Sequence, residues 1–170
     1  MSEPPNGVGE TPELLDSAYR VDVSSSDDAV EEEPDPRQIQ AWLGSAMGQL
    51  SLPPSAVSVH LVSPGEIRDL NNQYRQVDRA TNVLTFDADA MADEQVRFLG
   101  DIVICNQVVR EESVAYRKSF EARFAHMLIH GLLHLLGFDH ESEAEREQME
   151  STECELMASI GFADPYDLND

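Results

Sequence analysis

Four of the chain's five histidines fall within residues 126–140, and three of them, His130, His134 and His140, carry the spacing of a metal site in the run HGLLHLLGFDH. Positions four apart on an α-helix differ by ~40° and about 6 Å of rise, so His130 and His134 project side by side from one face. Gly137 can take a positive φ at no steric cost, which lets the chain leave the helix there and double back. That reversal brings His140 toward the same ion. Three imidazoles suit one zinc ion, with a fourth position for water whose pKa falls to about 7 on the metal. Nickel accepts the same ligands. Read instead as polar interruptions of a buried helix, the histidines would be costly unpaired groups in an apolar segment. His126, one turn before His130, is a candidate fourth ligand, proton shuttle or outer partner, or else a partly exposed helix residue. Asp139 either orients a ligand imidazole or serves the turn as a short polar residue.

The spacing H-x-x-x-H-x-x-G-x-x-H is that of metzincin proteases. Those enzymes place their general-base glutamate directly after the first histidine, where this chain has Gly131. A glycine cannot take a proton, so peptide hydrolysis by that route is not expected. Phosphodiesters fit better, because a metal centre and a cationic clamp can serve them.

The elements that must position these residues are legible in outline. Residues 18–24 alternate like an edge or half-buried strand. Ile39, Trp42, Leu43, Ala46, Met47 and Leu50 fall at helical spacing over 36–50, before Pro53 and Pro54. A β-rich run follows at 56–62. Ser63-Pro64-Gly65-Glu66 then reads as a capping box opening a helix to about Tyr74. Residues 82–86 read as a strand, 87–98 as an acidic surface loop and 99–105 as a central strand. Asn106 is positioned to cap a helix reaching about Tyr116. The motif helix runs from near Ser119 to Leu136, and a last helix spans 142–160, opened by Ser142 and Glu145 and closed by Gly161. The fold class expected is α/β, of the α+β kind: a small mixed sheet of about four strands packed with helices, with the metal site at the end of the long motif helix. Residues 1–17 are expected to be a disordered leader, 18–166 a single domain and 167–170 a tail.

Composition narrows the function classes. Two cysteines in 170 residues make no disulfide framework, which points to a reducing cytoplasm. Nothing resembles a membrane span, since the longest apolar stretch, around Met127 to Phe138, is interrupted by two histidines. Glu3 and Glu10 with no basic cluster do not look like a signal peptide. A formal charge of −22 argues at first against a nucleic-acid partner. The acid is concentrated at the ends: residues 1–36 hold 11 acidic groups and one basic, and 141–170 hold 10 and one. Residues 68–123 hold 8 of the 11 basic groups against 10 acidic ones, leaving room for a local basic cleft.

With these residues in view, the chain resembles the YbeY family of bacterial rRNA-maturation endoribonucleases. HGLLHLLGFDH is similar to the family's HGxLHLxGYDH, with Phe138 in the aromatic slot. LNNQYRQVDRATNVLTF (70–86) resembles LNxxYRxxDxxTxVLSF, LGDIVIC (99–105) resembles LGDIVI, and Asp164-Pro165-Tyr166 is similar to the close of some members. Asn82, Thr85 and Asp87 depart from the usual Asp, Ser and Pro. The resemblance covers roughly residues 18–166. It implies a single-strand-specific, metal-dependent endoribonuclease in 16S rRNA 3′-end maturation and ribosome quality control. It also implies zinc on His130, His134 and His140, a functional Arg75, and RNA and the small ribosomal subunit or its proteins as partners. A guanidinium suits such a role because it binds a phosphate by two parallel hydrogen bonds. The plainer reading of Arg75 is a helix-end arginine paired with Asp69 or Asp78. Arg79 is a weaker candidate of the same kind. Tyr74, Phe86 and Phe138 could stack a base, though core positions suit them better. Two other functions remain open at this level: a metal-dependent hydrolase of another substrate, and a non-catalytic zinc-containing ribosome-assembly adaptor. The latter gains if His126 closes a four-ligand site.

Overall fold

The computed structural model describes residues 18–26, 34–88 and 95–167. The expected leader, most of the 25–36 loop, part of the 87–98 loop and the last three residues lie outside these. The elements are β1 (Tyr19–Ser25), α1 (Pro36–Gln49), β2 (Ser55–Leu61), α2 (Pro64–Arg75), β3 (Val83–Asp87), β4 (Arg97–Ile104), α3 (Asn106–Ala115), α4 (Phe120–Leu135) and α5 (Glu143–Ser159). The strands form one sheet in the order β1-β2-β4-β3, parallel across the first three, with β3 antiparallel to β4. This is the expected mixed sheet with helices. The expected edge strand is β1, and β2 and β4 occupy the centre.

Side chains alternate across each strand, so the sheet builds two cores. Val57, Val59, Ile102 and Ile104 face α1, α4 and α5 in the larger core, with Trp42, Leu43, Phe124, Leu128 and Leu132. On the other face Leu84 and Val103 pack with Ile67 of α2 in a smaller one. The larger core fixes α4 against the sheet, and α4 carries the histidines.

Three expectations change. Arg97 and Phe98, read as loop, begin β4, because backbone pairing to Ser55 and Ala56 overrides an aperiodic sequence. Asn106 does not cap α3. The sheet ladder continues to Cys105, whose N–H donates to Asn82 O at 2.9 Å, so the helix starts at once and Asn106 is its fully buried first residue. Tyr74, expected in the core, is 57% exposed and packs edge-on against Phe86. Both capping boxes form as read, at Ser63/Glu66 and Ser142/Glu145.

Candidate metal centre

His126, His130 and His134 form one stripe of α4, and the ring centroids of the last two are 4.6 Å apart. The helix ends at Gly137, φ +99, in a Schellman turn: Phe138 N–H donates to Leu133 O and Gly137 N–H to His134 O. That turn brings the His140 ring centroid to 5.2 Å from His134 and 6.0 Å from His130. One ligand atom from each of the three lies within 4.8 Å of the others. Asp139 serves the turn, its carboxylate accepting from His140 N–H at 2.7 Å.

The hydrogen bonds set the imidazole tautomers. His134 Nδ1 sits 3.1 Å from Phe138 O, and a carbonyl can only accept, so Nδ1 carries the proton. His130 Nδ1 donates to Glu153 Oε2 at 2.6 Å. Both rings therefore turn an unprotonated Nε2 toward the site, and these two lone pairs face each other across 3.1 Å. Two acceptors so placed repel unless a cation lies within reach of both, and outer bonds on Nδ1 are how metal-ligating histidines are oriented. Burial, then the neighbouring His130 and His140, lower the His134 pKa and so favour the neutral imidazole, the form that can coordinate a metal. The donor set fits a divalent transition metal.

Glu153 was not singled out from sequence. It is fully buried, on the α5 stripe with Met149, Leu156 and Met157. Its carboxylate accepts from His130 Nδ1, from His126 Nε2 at 3.0 Å and from the Tyr166 hydroxyl. Burial opposes its charge, but the bonds from His126 and His130 outweigh that and hold its pKa down at about 2. The carboxylate is therefore favoured in its ionised form, as an acceptor for both imidazole N–H groups. Glu153→Gln keeps the shape but turns an amide N–H toward one histidine N–H. Metal affinity, read by competition with a chromogenic chelator, is expected to fall about 10–100-fold. An unchanged affinity would reduce Glu153 to a packing residue.

His126 is only 4% exposed, which overturns its reading as a partly exposed residue. Its Nε2 is bonded to Glu153, and its Nδ1 lies 3.5 Å from an Arg123 guanidinium N–H. Both nitrogens are engaged away from the three-histidine cluster, so neither is turned toward it as a fourth ligand atom. Arg123 in turn pairs with Glu112 at 2.9 Å, and Asn82 donates to the same carboxylate. A partly buried polar chain thus runs from Asn82 to His130.

Gly131 explains the missing glutamate. A Cβ there would lie 3.2 Å from Cγ2 of both Ile102 and Thr85, because α4 crosses the sheet at that point. A side chain at this position would crowd both groups, and with glycine there the histidine face has no proton acceptor of the protease kind. The methyl of Thr85, in place of the usual Ser, is one of the two groups that fill the space. At the departure from Pro, Asp87 keeps its ladder position opposite Gly100, and Ala88 N–H donates to Leu99 O.

Arg75 is the last residue of α2 and lines the same cleft of about 680 Å³ as His130, His134 and His140. The ion pair expected with Asp78 is made by Arg68 instead, Nε to Oδ1 at 2.7 Å, and Arg75 has no carboxylate partner among the described residues. Arg79 does not line the cleft. Its carbonyl receives the Asn71 side-chain amide and so ties the loop after α2. Phe86 and Phe138 pack against the two cores, as expected.

Residues 20–161 match the family model described as Endoribonuclease YbeY. The chain is 44% identical over 151 residues to an Endoribonuclease YbeY of Cellvibrio japonicus (strain Ueda107), covering 89% of this chain and 85% of that protein. It is also similar to the solution structure of the Thermotoga maritima protein TM1509, with 26% identity and a TM-score of 0.55 over 86% of this chain and 99% of the other.

Proposed function

This chain belongs to the YbeY endoribonuclease family, and we propose that it is a single-strand-specific endoribonuclease that matures the 3′ end of 16S rRNA and serves ribosome quality control. It is a hydrolase acting on RNA, and it depends on a metal. We assign that metal to His130, His134 and His140, one ion per chain, zinc by ligand type with nickel as the alternative. The observation that carries the assignment is the pair of opposed Nε2 lone pairs on a cleft that also holds Arg75, which has no carboxylate partner among the described residues.

A divalent ion held there supplies Lewis acidity. The chain's own groups do the rest. Glu153 and the Phe138 carbonyl fix the rings of His130 and His134. Arg75 offers a planar two-point contact to phosphate oxygens and opposes the charge that builds on them. Gly131 closes the protease route by leaving no side chain to act as base. Engagement of both His126 nitrogens leaves an open three-ligand site, which disfavours the non-catalytic adaptor.

Residues 18–166 make the catalytic domain in this reading, and the cytoplasm is its place. No helix among the described residues is long and apolar enough to cross a membrane, and Cys105 and Cys154 are free thiols. With a charge of −22, affinity for RNA is weak and salt-sensitive, so specific cleavage draws on the small ribosomal subunit or its proteins. The test is metal analysis with cleavage assays on structured rRNA fragments and small-subunit particles. Expected are about one transition-metal ion per chain, loss of cleavage on chelation, recovery on reloading, and sharper cleavage in particles than in naked RNA. Full activity in the chelated protein would overturn the reading.

A further inference from the structure

A second cavity of about 610 Å³ adjoins the metal cleft, and Arg123, His126 and Tyr166 line both. Among the described residues its charged lining is Arg117, Lys118 and Arg123 against a single carboxylate, Asp164. In a chain of charge −22 that is a marked inversion: four of its 11 basic residues, counting Arg75, line the two joined cavities. The basic groups are held by different means. Arg123 is tied to Glu112, and the Lys118 ammonium donates to Asp167 O. Arg117 is exposed on a left-handed turn, φ +60, between α3 and α4.

The same cavity holds aromatic surface. Tyr116 is 55% exposed even though the Arg123 guanidinium lies over its ring at 4.8 Å. Tyr166 is 41% exposed while its hydroxyl is anchored on Glu153. Cations that track a phosphate backbone, interleaved with aromatic rings that offer a face to bases, are what binds single-stranded nucleic acid without sequence preference. Tyr166 stands at the junction, so a strand leaving the metal cleft passes it on the way to Tyr116.

We propose that this cavity is a second nucleotide subsite, which takes a nucleotide farther along the same RNA strand, beyond the two a dinucleotide places at the metal cleft, with its phosphate on Arg117 and Lys118 and its base against Tyr116. This rests on the nuclease reading above. The step from dinucleotide to longer substrate is where it acts.

Fluorescein-labelled oligouridylates of two and nine nucleotides, titrated by anisotropy into the metal-loaded full chain, separate the subsite from the metal cleft. The comparison is with the double variant Tyr116→Leu, Arg117→Asn. Both positions are exposed, Leu keeps the cover over Arg123, and Asn tolerates the left-handed backbone. The nine-mer is expected to bind the wild type about 10-fold or more tighter than the dimer, and the variant to lose most of that gain. The slope of log affinity against log salt should fall by about 0.7 for the lost phosphate contact. Equal losses for dimer and nine-mer, or no loss for either, would overturn the proposal. If the wild type leaves RNA uncut yet shows the variant-sensitive gain, the nuclease reading fails and the subsite stands. If it cuts RNA and the variant binds and cuts the nine-mer as the wild type does, the subsite fails alone.

Discussion

Arg75→Ala is expected to lower RNA cleavage about 10²- to 10³-fold, the usual effect of removing one preorganised donor to developing charge. Metal content and thermal stability should stay at wild-type levels. The separation follows from where Arg75 stands. It is exposed at the last turn of α2, makes no ion pair among the described residues and does not touch the three histidines' outer bonds. Among the described residues no ion pair depends on its charge. Arg75→Lys should recover little, because an ammonium is a point charge that cannot reproduce the planar two-point contact. The effect should fall on kcat more than on KM if the contact tightens as phosphate charge builds. Turnover at the wild-type rate in either variant would show that the arginine merely decorates the rim.

Arg75 also marks the limit of reading such a site from sequence. Its role there rested on a resemblance, and its local alternative, a pair with Asp78, was chemically sound. Only the folded chain shows Arg68 claiming that carboxylate. The histidine motif differed because its geometry is local: a helical period, a glycine able to reverse the chain, and a third histidine three residues on. The capping boxes were legible for the same reason. Glu153 was hidden by its company. Six other acidic groups, Glu141, Glu143, Glu145, Glu147, Glu150 and Glu155, surround it in sequence and make the segment look like a solvated face. The available signal was period: Met149, Glu153, Leu156 and Met157 fall on one helical stripe, and a carboxylate on an apolar stripe needs a partner. Its partners lie 23 and 27 residues away on α4, beyond local pattern. Strand β4 began early for a related reason, since pairing with β2 is a property of two segments together. His126, whose spacing matches the proposed ligands, is separated from them only by seeing both its nitrogens engaged elsewhere.

That separation sets up the largest effect. The double variant His130→Ala, His134→Ala should bind no transition metal and cleave no RNA, whereas His126→Ala should keep its metal. At metal concentrations near a thousand times Kd, binding contributes about 4 kcal/mol to the native state. For a domain of this size that is worth roughly 10 °C in Tm, since each kcal/mol moves it by about 2–4 °C. Chelating the wild type should lower its melting temperature by that amount, and the double variant should melt alike with and without chelator. The double variant's own baseline could shift either way. It leaves Glu153 buried with His126 and Tyr166 as partners, but it also removes the opposed lone pairs of the metal-free cluster. The decisive quantity is therefore the metal-induced shift and not the absolute Tm. His140→Ala should fall between: its ring is exposed, on the turn after Gly137, so losing it weakens the metal markedly while two oriented imidazoles remain. Full metal occupancy in the double variant, or a metal-free His126→Ala protein, would move the ligand set off these three residues.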